Sequence, residues 1–204
     1  WMRLIAACVR EPGKALRKGI EWLLKQQDDK GVVGQLTAPK FMYGHAIATM
    51  VFAEALRSIP PKSIQTEDAI KRALAKAVAF LLDARNPGAA WRYMWRSNDN
   101  DVSVTGWVLQ ALASAKRANE KVPDEVVRET LKWLASVTDA TSNKVGYDTK
   151  VSQKVYSQGR NEQFNDHPTM TAAAGLCRAL HGDTTALSGI SLVLADYPKT
   201  DANN

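Results

Sequence analysis

Two kinds of apolar segment alternate along the chain, and both have the spacing of α-helices. In the first kind, apolar residues recur every three or four positions and charged residues fill the positions between them. This is the pattern of a surface helix with one buried stripe. Each such segment contains an aromatic residue followed by leucine. The three segments are residues 19–27, 77–85 and 130–138.

The second kind of segment is apolar on nearly every side and rich in alanine, glycine and threonine. A helix of this composition is buried on most of its surface, and its small residues let neighbouring helices approach closely. Each of these segments ends in Ala-Leu, and they occupy residues 45–56, 101–112 and 169–180. We expect them to be the most buried helices of the protein.

The alternation predicts an all-α fold built from helical hairpins. One segment of each kind, with its connections, gives a repeat of about 55 residues. Within a single domain, 1–204, we expect repeats at 13–57, 64–119 and 123–181 and a partial fourth at 183–197. Stacked in a curve, the amphipathic helices form an outer layer, and the apolar helices form an inner layer that lines a concave face. The chain shows no sustained period-two alternation of the kind that predicts strands.

The connections are unequal in length. Residues 86–100 form an aromatic-rich loop, and residues 139–168 form a longer polar one. Connections of this length are uncommon in compact domains and often carry function.

Composition narrows the classes of function. No apolar run reaches the roughly 18–20 residues of a membrane span. The net charge is +6, but lysine and arginine are interleaved with apolar residues, as on solvated helix faces, so no nucleic-acid partner is predicted. The chain begins at Trp1 without a secretory pattern, and we expect a piece of a longer protein whose compartment stays undetermined.

The two cysteines give no metal or redox signature. Cys8 and Cys177 are far apart, and neither belongs to a Cys-x-x-Cys motif. Both lie in apolar helical stretches, as small buried residues do, and a disulfide between them stays open. No metal and no cofactor is predicted.

Several stretches resemble a known repeat. "GIEWLLKQQDDKGVVG" and "AVAFLLDARNPGAAWRY" are similar to the repeat of squalene–hopene cyclases and protein prenyltransferase β subunits, in which an aromatic-Leu helix precedes a turn with Gly and then Trp. "DVSVTGWVLQAL" resembles the inner helix that follows in those families, and also the thioester-containing domains of complement and macroglobulin proteins. The resemblance covers about residues 13–182 and implies part of an α/α toroid of the terpenoid cyclase type.

The catalytic motifs of those families are incomplete in this chain. Hopene-type cyclases carry Asp-x-Asp-Asp-Thr at the start of an inner helix, where an aspartic acid protonates an alkene; here the stretch reads Asp99-Asn100-Asp101-Val102-Ser103. Prenyltransferases hold zinc with Asp, Cys and His, and Met170 stands where the resemblance implies the histidine. The Gly-Cys-Gly-Glu-Gln motif of thioester domains is absent.

Three polar residues mark the starts of the apolar segments. Counting back eleven residues from the leucine of each Ala-Leu pair gives His45, Asp101 and Thr169, which we take as equivalent positions. One hypothesis is that Asp101 is a helix cap, because its side chain can accept hydrogen bonds from the free amides of the first turn. The other is that these helix starts converge, so that Asp99, Asp101 and His45 form a catalytic acid–base site at the mouth of the concave face.

Aromatic residues are concentrated near the same segment. They can line a ligand site and stabilise cations through their π faces, or they can be ordinary core. Arg92 and Arg96 alternate with them, which suits an anionic or planar ligand or a protein partner. The candidate ligand-binding residues are Tyr43, Trp91, Tyr93, Trp95 and Trp107.

The sequence therefore predicts a repeat domain that binds a small hydrophobic or anionic molecule, or a protein partner, in its concave face. An enzyme acting on an isoprenoid or other hydrophobic substrate by acid–base chemistry is one alternative. A structural scaffold without a small-molecule site is the other.

Overall fold

The computed structural model describes residues 14–58, 64–150 and 168–195. Within these ranges the chain is all-α, as predicted, and its only β-type pairing is two isolated bridges. Cys8 and residues 151–167 of the long polar connection lie outside these ranges. The helices of the described ranges are α1 (Lys14–Gln26), α2 (Phe41–Ser58), α3 (Ile64–Asp83), α4 (Val102–Arg117), α5 (Asp124–Ser136), α6 (Thr169–Leu180) and α7 (Leu187–Ala195).

The apolar segments become α2, α4 and α6, and the first two are the most buried helices of the described chain. Eleven of the 16 residues of α4 and nine of the 18 residues of α2 are buried. In the amphipathic α5 only three of 13 are buried. Five of the 12 residues of α6 are buried, a share close to that of the amphipathic α3. Seven of the 18 described side chains of α3 are buried, so the three apolar helices are the most buried of the described chain, as predicted. The margin is narrow for α6, because only α4 and α7 pack closely against it within the described residues.

Local sequence explains where several helices begin and end. Helix α5 follows Pro123 and carries Asp124 and Glu125 in its first turn, where carboxylates favour the positive end of the helix dipole. Just beyond α4, Asn119 has a φ of 65°, and just beyond α6, Gly182 has a φ of 75°. Asparagine and glycine tolerate this left-handed conformation, which ends a helix.

The three apolar helices lie side by side in chain order. Helix α2 packs against α4, and α4 packs against α6. Helix α3 packs mainly against α2, α1 contacts both α2 and α3, and α7 covers α6. The largest fully buried side chains of the main core come from these contacts and from the loop before α4, namely Met42, Phe52, Leu74, Leu81, Trp91 and Leu112.

The same hydrogen bond occurs at three connections. In each, a backbone amide just after the turn that follows an amphipathic helix donates to a side chain near the start of the next apolar helix. The donor and acceptor residues are Val33 with His45 Nδ1 (3.1 Å), Trp91 with Thr105 Oγ1 (3.1 Å) and Val145 with Thr171 Oγ1 (3.0 Å).

These hydrogen bonds correct the predicted alignment of the helix starts. Counting back from Ala-Leu matched His45 with Asp101 and Thr169, whereas the structure matches His45 with Thr105 and Thr171. The count fails because the distance from this acceptor to the Ala-Leu pair differs from helix to helix. His45 is the fifth residue of α2 and not its cap, while Asp101 lies just before α4.

Candidate functional site

Asp101 caps helix α4 from a fully buried position. Its backbone is extended, with φ −141° and ψ 155°, and its Oδ1 accepts a hydrogen bond from the Val104 amide at 2.8 Å. The same oxygen accepts the Ser103 hydroxyl at 2.6 Å. The amide of Asp101 donates to the Trp91 carbonyl at 2.9 Å, so the loop before α4 holds the cap in place. The cap hypothesis for Asp101 is confirmed.

The second carboxyl oxygen of Asp101 has no such partner. Oδ2 is buried and makes no hydrogen bond with the described residues, and the nearest cation is the Arg92 Nε at 3.9 Å. Burial raises the pKa of Asp101 above its ordinary value, although the Ser103 hydroxyl, the Val104 amide and Arg92 oppose that rise. A buried oxygen without a partner favours the protonated form, since desolvation penalises the charge.

A run of hydroxyl groups leads from Asp101 towards the surface. Ser103 Oγ also lies within hydrogen-bond distance of the Tyr43 hydroxyl, and 3.3 Å from the Tyr147 hydroxyl. The hydroxyls of Tyr147 and Tyr93 are hydrogen-bonded as well. Because Ser103 gives its single proton to Asp101, the Tyr43 hydroxyl must donate to Ser103. We call Asp101, Ser103, Tyr43, Tyr147 and Tyr93 the hydroxyl network.

Tyr43 and Tyr147 of the hydroxyl network stay protonated at neutral pH. Burial is the main cause that raises the pKa of Tyr43 to about 12. Burial and then the charge of Asp101 raise the pKa of Tyr147 even further above its ordinary range. Tyr43 and Tyr93 are half-buried, so two ends of the network are accessible. Because Tyr43 gives its proton to Ser103, its oxygen can accept a hydrogen bond from a ligand, and the network can relay a proton to or from Asp101.

Arg92 contacts both the tyrosine rings of the network and nearby carboxylates. Its guanidinium lies 3.0 Å from an Asp99 carboxylate oxygen and 3.9 Å from one of Asp148. It also lies over the rings of Tyr93 (5.5 Å) and Tyr147 (5.9 Å). Asp99 is thus a half-exposed ion-pair partner of Arg92, and it does not reach the hydroxyl run.

His45 lies in the core, apart from the network. Its Nδ1 accepts the Val33 amide, so the proton is on Nε2, which donates to the Ala77 carbonyl at 3.2 Å. Its ring packs on Phe41 and Phe80. Burial lowers the pKa of His45 to about 4, which keeps it neutral. The expected convergence of His45 with Asp101 is wrong, because both ring nitrogens of His45 are engaged by backbone groups.

The predicted aromatic cluster divides into different roles. Trp91 is fully buried, and its indole donates to the Leu81 carbonyl at 2.8 Å, so it is a packing residue. Trp95 is 42% exposed and hydrogen-bonds Asp83 instead. Tyr43 packs against Tyr93 with ring centroids 5.9 Å apart, while Trp107 is half-buried on α4.

Sequence reasoning missed Tyr147, which lies in the long polar connection. A signal was available: Tyr147 follows Val145 by two residues, as Tyr93 follows Trp91, and Val145 and Trp91 make the same backbone hydrogen bond. The equivalence of Tyr147 and Tyr93 becomes visible only when the segments are aligned on their turns and not on the ends of their helices.

Cys177 lies at the contact between α4 and α6. The Cys177 thiol is buried and donates to the Gly106 carbonyl at 3.4 Å, and burial raises its pKa to about 12. Within residues 14–58, 64–150 and 168–195, no group of three or more His, Cys, Asp or Glu side chains is arranged to hold a metal ion. None of the described helices combines the length and the apolarity that crossing a membrane requires.

Comparisons of the chain with protein-family models, with curated proteins and with solved structures find no match.

Proposed function

We propose that the chain is part of an α/α toroid of helical hairpin repeats, and that it binds a hydrophobic ligand or partner on a concave face lined by α2, α4 and α6. Two features support the repeat architecture. The three apolar helices are neighbours in chain order, and the same amide-to-side-chain hydrogen bond occurs at the start of each.

The observation that carries the binding proposal is that accessible apolar side chains lie on α2, α4 and α6, while the hydroxyl network lies at the starts of α2 and α4. Ile47 of α2 is 38% exposed, and Leu176 of α6 is 46% exposed. Trp107 of α4, between them in helix order, is half-buried. Small-molecule sites are mostly apolar with a few well-placed polar groups, and Tyr43 and Tyr93 provide such groups at one end.

A second candidate function is acid–base catalysis on an isoprenoid or other hydrophobic substrate. The specific observation is the buried, unpartnered Oδ2 of Asp101 together with its raised pKa. A general acid must hold its proton near the working pH, and burial provides this. Of the three predicted acid–base residues, Asp101 alone suits the role, since Asp99 is paired with Arg92 and His45 is sealed in the core.

Titration of the protein with farnesol, followed by calorimetry, tests the binding proposal. Ile47→Asn should weaken binding, because it puts an amide among the apolar side chains of the concave face while leaving the core intact. Trp22→Ser is the matched control, since Trp22 is a 59% exposed apolar residue on the outer helix α1. Equal binding by both variants would contradict the proposal, and absence of any binding would favour the structural scaffold.

A further inference from the structure

A second concavity lies at the opposite end of the apolar helices from the hydroxyl network. Helix α5 makes few close backbone contacts with α4 or α6, in contrast to the close packing of α3 on α2. A groove of about 730 Å³ opens between one side of α5, the C-terminal part of α4 and the end of α6. Sites for small molecules typically have volumes of about 300–1,000 Å³.

The groove combines an apolar floor with a cationic rim. Its apolar lining residues are Ala113, Val127, Leu131, Ala135 and Leu180. Its cationic lining residues are Lys116, Arg117, Arg128, Lys132 and Arg178. Two carboxylates line it, those of Asp124 and Asp183, and Arg117 also pairs with Glu54 of α2 at 3.5 Å, so the five cations of the wall outnumber these three carboxylates.

The ion pairs of the groove neutralise only part of its positive charge. Lys116 pairs with Asp124, and Arg178 pairs with Asp183 at 2.5 Å. Lys132 is exposed and forms no ion pair with the described residues, and Arg128 reaches only Glu125, on its own helix, at 3.7 Å.

Two buried guanidinium nitrogens in the wall have no hydrogen-bond partner among the described residues. The Nε atoms of Arg117 and Arg178 make no hydrogen bond with the described residues, and the Arg178 side chain is only 4% exposed. Buried donors in proteins normally have partners, so the wall has more donor capacity than the described protein atoms satisfy.

We propose that this groove binds an anionic amphiphile, with its acidic head group among Lys116, Arg128 and Lys132 and its alkyl chain along Val127 and Leu131. Charge complementarity selects the head group. The apolar floor selects a ligand with a hydrocarbon part and disfavours a plain polyanion, which would leave that floor uncovered. This site is separate from the concave face and does not depend on the function proposed there.

Calorimetric titration with octyl phosphate tests this proposal, with 1-octanol and inorganic phosphate as the two half-ligands. Octyl phosphate should bind saturably and more tightly than either. The double variant Arg128→Gln/Lys132→Gln should weaken its binding about fivefold, equivalent to about 1 kcal/mol, because it removes two contacts between exposed charges. Lys18→Gln/Lys25→Gln removes the same two charges from exposed positions on α1 and should bind as the wild type does.

The ring of His181 provides a local readout by NMR. It lies in the wall of the groove and donates from Nε2 to the Leu109 carbonyl at 2.9 Å. His45 is buried in α2 and does not line the groove. Octyl phosphate should shift the His181 ring resonances and leave those of His45 unchanged. The proposal is overturned by an unchanged His181 at saturation, by equal losses in both double variants, or by 1-octanol or phosphate binding as tightly as octyl phosphate.

Discussion

Asp101 stabilises the fold as the cap of α4 and destabilises it through a buried carboxyl oxygen without a partner. Capping by an aspartate contributes about 0.5–2 kcal/mol to the free energy of unfolding. Leaving a buried polar atom without a partner costs about 1–3 kcal/mol, and Oδ2 of Asp101 is such an atom. The two effects are of similar size, so stability alone does not explain a carboxylate here, where a hydroxyl could cap α4 equally well. The position of Asp101 at the inner end of a hydroxyl run is the more specific explanation.

At this scale we expect Asp101→Ala to lower the free energy of unfolding by about 0.5 kcal/mol, at the lower end of the range for helix caps, because removing the unpartnered Oδ2 offsets part of the loss. Asp101→Ser should recover most of that loss, because a hydroxyl can accept the Val104 amide. Urea unfolding of both variants measures it. A urea unfolding transition unchanged by Asp101→Ala would show that the cap makes no net contribution to stability.

The raised pKa of Asp101 also predicts a pH dependence. The folded state binds the proton more tightly than the unfolded state, so the stabilisation from this group is complete below the ordinary carboxyl pKa of 3.8. It is lost as pH rises through the folded-state pKa. Wild type should therefore lose stability relative to Asp101→Ser between pH 3 and neutral pH, measured by urea unfolding. A difference that stays constant or grows with pH would contradict the raised pKa.

At the scale of elements, the turn between α1 and α2 shows how a short connection positions a helix. The Asp28 carboxylate accepts the amides of Lys30 and Val32, each at 2.9 Å. The side-chain amide of Gln27 donates to the carbonyls of Gly31 and Ala73, which ties the turn to α3. This geometry brings the next amide, that of Val33, to the ring of His45.

Gly31 is required in this turn, and Gly31→Ala should destabilise the protein by about 1 kcal/mol or more. Its φ is +86°, and an added Cβ would lie 2.6 Å from the carbonyl carbon of Lys76. Gly19→Ala is the control, because no atom lies within 4 Å of its Cβ position in α1 and alanine favours helix. Chemical denaturation should show opposite signs for the two variants; a neutral Gly31→Ala would mean that the turn adapts.

At the scale of the whole molecule, the spacing of the apolar helices decides which residues meet. At Gly106 of α4, an added Cβ would lie 3.7 Å from the Cβ of Ala173 and 3.8 Å from the Cys177 sulfur. Small side chains thus set the separation of α4 and α6. Towards the start of α4, the same arrangement brings the Tyr147 loop to Ser103.

This spacing predicts a size threshold at Gly106. Gly106→Ala should be tolerated or slightly stabilising, since its Cβ would make ordinary contacts and alanine favours helix. Gly106→Leu should cost about 1–3 kcal/mol, because the extra carbons overfill the contact with α6. Thermal melts of the two variants decide it, and equal melting temperatures would show that α4 and α6 can move apart at no cost.

The sequence by itself determined the all-α fold, the apolar helices and the cap at Asp101. The first two follow from the period of apolar residues, and a cap depends on contacts within one helical turn. Tertiary structure alone decided that His45 is sealed by Val33 and Ala77, and that Tyr147 joins Ser103 across 44 residues of chain. Contacts between distant segments depend on how helices and turns align in space, and neither periodicity nor local spacing records that alignment.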